Sequence, residues 1–201
     1  MRVAILGGTG KFGRALATRL AAAGDEVVIG SRDADRAKEI AAALGVRGAA
    51  NDHVGGVDLV VLAVEAGAAL PTARSLRFEA PLLSVAAEIE FDAGVARPAA
   101  QAESLAERIA EAVDVPVAAG LHTIAALKLA KSSPEEDAFV CGDDEEAKRC
   151  ALELASKIVK GRAIDAGPLE TARALEAMTA VLVNVNRAYK THAGLRVTGI
   201  E

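Results

Sequence analysis

Short apolar runs alternate with stretches of helical periodicity along most of the chain. The apolar runs predict strands of a buried parallel sheet at 3–6, 26–30, 57–64, 81–85 and 115–119. Amphipathic segments lie between them and predict helices, for example over 15–20 and 104–113. Strands that alternate with helices are typical of βαβ units. The pattern therefore predicts an α/β protein with a Rossmann-type, doubly wound parallel sheet.

The pattern changes after His122 and predicts a small C-terminal α/β extension. Its predicted elements are a short helix at 123–130, a strand at 138–141, a helix at 144–159, a strand at 163–165 and a long helix at 169–189. We place a soft domain boundary near residue 121, which gives a nucleotide-binding domain at 1–121 and the extension at 122–201. The long helix has one apolar stripe, which predicts core packing or, alternatively, a homodimer interface. The stripe consists of Leu175, Met178, Leu182, Val185 and Tyr189.

Composition narrows the class of protein. The chain has 201 residues, of which 52% are hydrophobic, and its formal net charge is −5. Dispersed basic residues on an acidic chain argue against a nucleic-acid-binding surface. No apolar run approaches the ~20 residues of a membrane span, and no signal peptide is apparent. The two cysteines, Cys141 and Cys150, lack disulfide-scaffold or zinc-ligand spacing and predict reduced thiols. We expect a cytoplasmic protein without nucleic-acid or membrane partners.

A glycine-rich turn follows the first predicted strand. It contains the pattern G-x-G-x-x-G at Gly8, Gly10 and Gly13, directly before a predicted helix. In such turns, one glycine permits the tight turn, one lets the backbone approach a pyrophosphate, and one allows close helix packing. The helix that follows points its free N–H groups and its positive dipole end at the phosphates. This context predicts a dinucleotide site.

The end of the second predicted strand distinguishes between the two common dinucleotides. An NAD site usually has a carboxylate here for the ribose 2′-hydroxyl, whereas this chain has Ser31 and Arg32, followed by Arg36. A hydroxyl and two guanidinium groups suit a phosphate dianion, so we expect NADP(H). Alternatively, the arginines are solvated charges that open an ordinary helix, with Asp33 and Asp35 beside them as candidate ion-pair partners.

The chain resembles the F420-dependent NADP oxidoreductases over nearly its whole length. Six segments carry the resemblance: 6–10 with 30–32, then 121–124, 140–144, 165–169 and the tail 186–200. The resemblance implies reversible hydride transfer between NADP(H) and coenzyme F420, a deazaflavin. Both reacting carbons belong to the cofactors, so it implies neither a protein nucleophile nor a metal. It also implies that the C-terminal extension completes the deazaflavin site.

The resemblance also implies the residues that bind the two cofactors. They are Gly8, Thr9, Gly10, Lys11, Phe12, Ser31, Arg32, Arg36, Ala66, Leu70, His122, Ile124, Ala126, Ala193 and Gly194. His122 is the one possible catalytic residue, as a hydrogen-bond partner of a cofactor ring or as a proton donor. Alternatively, it is a buried imidazole that fixes a strand-to-helix turn. The acidic run 143–146 predicts a helix N-terminus rather than a metal site.

Two predicted loops depart from the family pattern. Glu65 and Ala66 stand in a nicotinamide-side loop at 64–70 where relatives often have proline and tryptophan. In a second loop at 84–90, Glu88 and Glu90 place negative charge where an anionic phosphate and oligoglutamate tail would lie. Two alternatives therefore stay open. One is an NADP-dependent reductase of another acceptor, such as a flavin, a quinone or a metal chelate. The other is a non-catalytic NADP(H)-sensing protein.

Overall fold

A computed structural model describes residues 1–200 and shows an eight-stranded sheet between layers of helices, with a separate two-stranded hairpin. The strands are β1 (Arg2–Leu6), β2 (Glu26–Ser31), β3 (Arg47–Ala50), β4 (Leu59–Leu62), β5 (Leu82–Ser84), β6 (Ile89–Asp92), β7 (Val95–Pro98), β8 (Val117–Gly120), β9 (Ala138–Gly142) and β10 (Ala163–Asp165). The helices are α1 (Lys11–Ala22), α2 (Ala34–Leu44), α3 (Ala66–Ser75), α4 (Leu105–Ala110), α5 (Ala126–Lys131), α6 (Glu145–Ile158) and α7 (Ala172–Tyr189). Short 3-10 turns occupy Asn51–His53 and Leu169–Thr171.

The strand order of the large sheet confirms the predicted Rossmann-type fold. From edge to edge the order is β10, β9, β8, β5, β4, β1, β2, β3, and every neighbouring pair is parallel except β8 with β9. The chain leaves β1 in one direction toward β3 and returns to place β4 on the other side of β1. This change of direction creates a crevice at the carboxyl ends of β1 and β4, which is where open α/β sheets bind ligands.

Alternation along each strand builds a core on both faces of the sheet. Val3 and Ile5 of β1 pack into the cluster beneath α1 and α6, whereas Ala4 and Leu6 pack into the cluster beneath α3 and α4. Successive side chains of a strand point to opposite faces, so a continuous apolar strand supplies both layers at once. The predicted buried strands therefore form the centre of the molecule.

The segment after residue 121 extends the same sheet. β9 runs antiparallel to β8, and β10 pairs parallel with β9. Helix α6 shares the core cluster of α1, and Asp144 caps α6 by accepting a hydrogen bond from the Ala147 amide at 2.8 Å. The predicted strands, helix and acidic N-cap of this segment are confirmed. The boundary near 121 coincides with the reversal of strand direction.

The sequence did not predict β3 or the hairpin of β6 and β7. Both consist of short segments that are only partly apolar, so neither shows a strand period of useful length. The hairpin turns at Ala93 and Gly94, which both have positive φ angles, of 48° and 80°. Two such residues are typical of a tight type I′ turn. Asn184 of α7 then holds the hairpin by two hydrogen bonds to the Ala96 backbone, at 2.8 and 2.9 Å.

Candidate functional site

An open cleft of about 510 Å³ lies at the carboxyl ends of β1, β2 and β4. It brings together several predicted site residues, namely Thr9, Gly10, Ser31, Arg32 and Arg36. The cleft is also lined by Asn51 and Thr72, which sequence reasoning missed, and by Ala68 of the segment predicted to lie on the nicotinamide side. Asn51 follows β3, and since that strand was not predicted, no signal marked the residue.

Steric limits explain the glycines of the turn beside this cleft. Gly7 makes the tight turn out of β1 with a φ of 81°, and a Cβ there would lie 2.5 Å from the Ala63 carbonyl oxygen. A Cβ on Gly13 would lie 2.5 Å from the Gly7 oxygen, so that glycine lets α1 pack close to the turn. Gly10 is the N-cap residue of α1, and no side chain forms a capping hydrogen bond there. The first-turn amides of α1 have no acceptor within the helix and are free for an anion.

Gly8, Lys11 and Phe12 take positions that differ from the prediction. Gly8 is buried, and a Cβ there would overlap Ile29, so it packs the turn against β2 rather than facing phosphates. The Phe12 side chain packs on the core beneath α1. The Lys11 side chain lines a separate groove between α1 and α5. Lys11 and Phe12 can therefore contact a ligand in the cleft only through their backbone amides, in the first turn of α1.

The arginines at the end of β2 are free of ion pairs within residues 1–200. Asp33 caps α2 and accepts hydrogen bonds from the Asp35 and Arg36 amides at 3.1 and 3.0 Å. Asp35 pairs instead with Lys38 at 3.2 Å. These aspartates therefore do not neutralise the arginines. Both guanidinium groups stay available for an anion in the cleft.

The predicted loop at 64–70 is wrong, because helix α3 starts at Ala66. Glu65, Ala68 and Thr72 lie on one side of this helix and line the cleft. Leu70 faces the other way, toward α4, and Ala66 packs on the core of that layer. A helix that begins one residue after Glu65 leaves this carboxylate at the mouth of the cleft.

A strained turn follows β8 at the same edge of the sheet. Leu121 is 1% exposed and has a φ of 63°, a left-handed conformation that is rare for a residue with a bulky side chain. Its carbonyl accepts the Ile124 amide at 3.0 Å, and Thr179 of α7 donates to the His122 carbonyl at 3.1 Å. Strain of this kind costs ~1–3 kcal/mol and clusters at functional sites.

This turn and the end of β5 carry buried polar atoms without hydrogen-bond partners in the described part of the chain. They are the two ring nitrogens of His122, the Thr123 hydroxyl and the Ser84 hydroxyl. Burial lowers the pKa of His122 to about 4, and the Ala86 backbone offsets this shift only in part. Buried polar groups are normally paired, and this group of exceptions makes the turn a candidate ligand site.

The remaining predicted residues lie nearby but do not form a single surface. Ile124 is buried in the core beneath α1, and Ala126 begins α5 beside Lys11. Ala193 and Gly194 lie in the C-terminal tail, where a Cβ on Gly194 would overlap the Glu136 carboxylate. Glu136 precedes β9, whose amino end lies beside the carboxyl end of β8 because the two strands are antiparallel.

Hydrogen bonds to a buried ion pair hold this tail against the sheet. Asp137 is fully buried and bonds Arg162 at 2.8 Å, and the Arg162 guanidinium keeps the pKa of that carboxyl well below its usual range. The Val197 amide donates to Asp137 at 2.8 Å, and the Asp137 amide donates to the Leu195 carbonyl at 2.8 Å. The tail is thus fixed at the edge that carries His122.

Comparisons with known proteins agree with this geometry. Residues 2–88 match the family described as coenzyme F420-dependent NADP oxidoreductase. The F420-dependent NADP reductase of Methanothermobacter thermautotrophicus is 36% identical over 100% of this chain and 96% of its own length. The enzyme of that name from Methanocaldococcus jannaschii is 32% identical over the whole of both chains.

A solved structure extends the likeness to three dimensions. An Arthrobacter sp. FB24 protein, provisionally described as an F420-dependent NADP-reductase, superposes with a TM-score of 0.84 at 27% identity. The match covers 99% of this chain and 100% of that one. Sequence identity over the full length and the shared fold lead to one conclusion: the chain belongs to the coenzyme F420-dependent NADP oxidoreductase family.

Proposed function

We propose that this protein catalyses reversible hydride transfer between NADP(H) and coenzyme F420. The observation that carries the proposal is the position of two complementary half-sites at one edge of the sheet. One is an open cleft with free cations, and the other is a buried turn with unpaired polar atoms. Full-length identity to F420-dependent NADP reductases supports the same assignment.

Separate groups in the cleft suit the pyrophosphate and the 2′-phosphate of NADP(H). The free amides at the start of α1 suit the pyrophosphate, and Arg32 and Arg36 suit the 2′-phosphate. Ser31 accepts the Asp33 amide at 3.2 Å, which leaves its hydroxyl hydrogen to donate to the same phosphate. With the phosphates in those positions, we assign the nicotinamide to the carboxyl ends of β1 and β4, at the sheet edge that also carries the His122 turn.

The buried turn fits the edges of flat rings. His122, Thr123 and Ser84 offer hydrogen-bonding atoms that no described protein group uses. When bound, the nicotinamide and deazaflavin rings supply the hydride chemistry, and the protein holds them in contact and excludes water. Since the pKa of His122 is about 4, it is neutral at pH 7, and we assign it a ring-orienting role instead of proton donation.

The two cofactors are assigned to the two parts of the chain on either side of the predicted boundary. We assign NADP(H) binding to residues 1–121 and completion of the deazaflavin site to residues 122–201, where Ala193 and Gly194 lie beside Glu136. Neither half is complete alone, because the hydride must pass between rings that the two parts hold.

A single assay tests the function. Purified protein is mixed with NADPH and oxidised coenzyme F420, and the loss of the deazaflavin's visible absorption is followed. We expect turnover, with F420 preferred over a flavin, a quinone or a metal chelate. Turnover of one of those acceptors without turnover of F420 would replace the acceptor in the proposal. Tight NADPH binding without any turnover would favour the NADP(H)-sensing alternative.

The same proposal includes a homodimer in the cytoplasm. Leu175 and Leu182 of α7 are buried, whereas Val181 is 59% exposed and Phe91 on the adjoining hairpin is 62% exposed. Both cysteines are free and buried, as expected for a reducing compartment. No helix within residues 1–200 is long and apolar enough to cross a membrane. Light scattering of the wild type and of Val181→Glu tests the dimer, and the variant is expected to be monomeric.

A further inference from the structure

A groove of about 310 Å³ runs between α1 and α5, apart from the dinucleotide cleft. Ala15 and Ala130 form part of its apolar floor, together with Leu127, which is 52% exposed. Lys11 and Arg14 line its α1 side. The groove therefore combines an apolar floor with a cationic wall.

The two cations on this wall are not neutralised by the protein. Lys11 and Arg14 are both exposed, lie one helical turn apart on α1, and form no ion pair within residues 1–200. The first turn of α1 also has no acidic residue that could pair with them. The groove consequently attracts an anionic group.

The groove begins where the two half-sites meet. Helix α1 starts at the glycine turn, directly after Gly10, and α5 starts just beyond the turn that carries His122. A molecule whose ring lies at His122 can extend from there along the two helices without crossing the dinucleotide cleft.

The opposite side of the acceptor half-site has the reverse charge. A cavity of about 420 Å³ near the hairpin is lined by the carboxylates of Glu88, Glu103, Glu170 and Glu176. One cation, Arg173, lines this cavity, and it already donates to backbone carbonyls, among them that of Ala102 at 2.6 Å. Of the four carboxylates, Glu88 pairs with Arg108, and the other three form no ion pair within residues 1–200. An anionic chain that leaves the ring site is therefore repelled there and attracted to the groove.

We propose that the groove between α1 and α5 binds the anionic tail of the deazaflavin acceptor, with Lys11 and Arg14 facing its phosphate and carboxylates. This rests on the proposed function and adds the route by which the acceptor leaves the ring site. It also accounts for Glu88 and Glu90, since an acidic loop on the other side does not oppose a tail that lies along α1.

The test compares full-length coenzyme F420 with the tail-less deazaflavin riboside as acceptors for Arg14→Glu. We expect KM for full-length F420 to rise about threefold to tenfold, which is the range for losing and reversing one exposed charge contact. KM for the tail-less acceptor and KM for NADPH are expected to stay within about twofold. Raising the ionic strength should weaken binding of full-length F420 by wild type and leave the tail-less acceptor unaffected.

Arg74→Glu is the matched control, because Arg74 is exposed on α3 and the charge change is identical, but the helix lies on the opposite face. Equal KM changes for the two acceptors, a change confined to NADPH, or no change in Arg14→Glu would each overturn the groove assignment. Those outcomes leave F420 turnover intact, whereas absence of F420 turnover by wild type would refute the proposed function itself.

Discussion

The two halves of the proposed site offer different physical means of recognising a ligand. The dinucleotide half is open and charged, and its cations are kept free because Asp33 and Asp35 bond elsewhere. The acceptor half is buried and uncharged, with a left-handed Leu121 and a neutral His122. Charge can be offered to a ligand from an exposed surface, whereas ring orientation requires fixed, desolvated groups. Variants should separate the two halves.

The largest effect is expected from removing the arginine pair. Each charge-assisted hydrogen bond contributes about 1.5–3 kcal/mol, so Arg32→Ala with Arg36→Ala should lower kcat/KM for NADPH by at least about 100-fold. NADH lacks the 2′-phosphate, and its kcat/KM should change by less than about threefold. Steady-state kinetics with both dinucleotides measures this difference. Equal losses for NADPH and NADH would refute the phosphate clamp.

A second effect concerns the tail beside the acceptor half. Arg162→Met leaves the buried Asp137 carboxylate without its cation, which costs about 3 kcal/mol in the free energy of unfolding. Urea denaturation measures this loss, and Arg162→Lys, which keeps the charge, should recover part of it. KM for F420 should rise while KM for NADPH stays constant. A parallel rise in both would show that the tail supports the whole fold and not one half.

The third effect is a pH dependence that the dinucleotide half should not show. Between pH 6.5 and 4 the unfolded chain protonates His122, but the folded chain does not, because burial lowers the pKa of His122 to about 4. The wild type should therefore lose about 3 kcal/mol of unfolding free energy as the pH falls through this window, beyond the loss in His122→Asn. Urea denaturation of both proteins at pH 7.5 and at pH 4 tests this. Identical pH profiles would show that His122 is accessible to protons in the fold.

The smallest effect is expected at Asn51, on the floor of the open cleft. Its side-chain oxygen is buried and unpaired, so a dinucleotide can supply the missing donor. Asn51→Ala should raise KM for NADPH about fivefold, the value of a neutral hydrogen bond, without lowering stability. If KM is unchanged, Asn51 only lines the cleft. Thr72→Ala, on the other wall of the cleft, serves as the comparison.

Sequence reasoning succeeded best in the dinucleotide half, because its determinants are contiguous. The turn from Gly7 to Gly13 and the segment from Ser31 to Arg36 each form one local structure at the end of a strand. The less regular parts were missed. The loop predicted at 64–70 is the start of α3, and neither β3 nor the hairpin has an apolar period long enough to detect.

The sequence by itself determined the buried strands of the large sheet, the dinucleotide turn and the cations beside it, since hydrophobic periodicity and glycine sterics act over a few residues. The tertiary structure alone decided that Leu121 is left-handed, that His122 is buried without a partner, and that the Arg162–Asp137 pair fixes the tail beside Glu136. These features depend on burial and on contacts between residues far apart in the chain, and no local pattern encodes either.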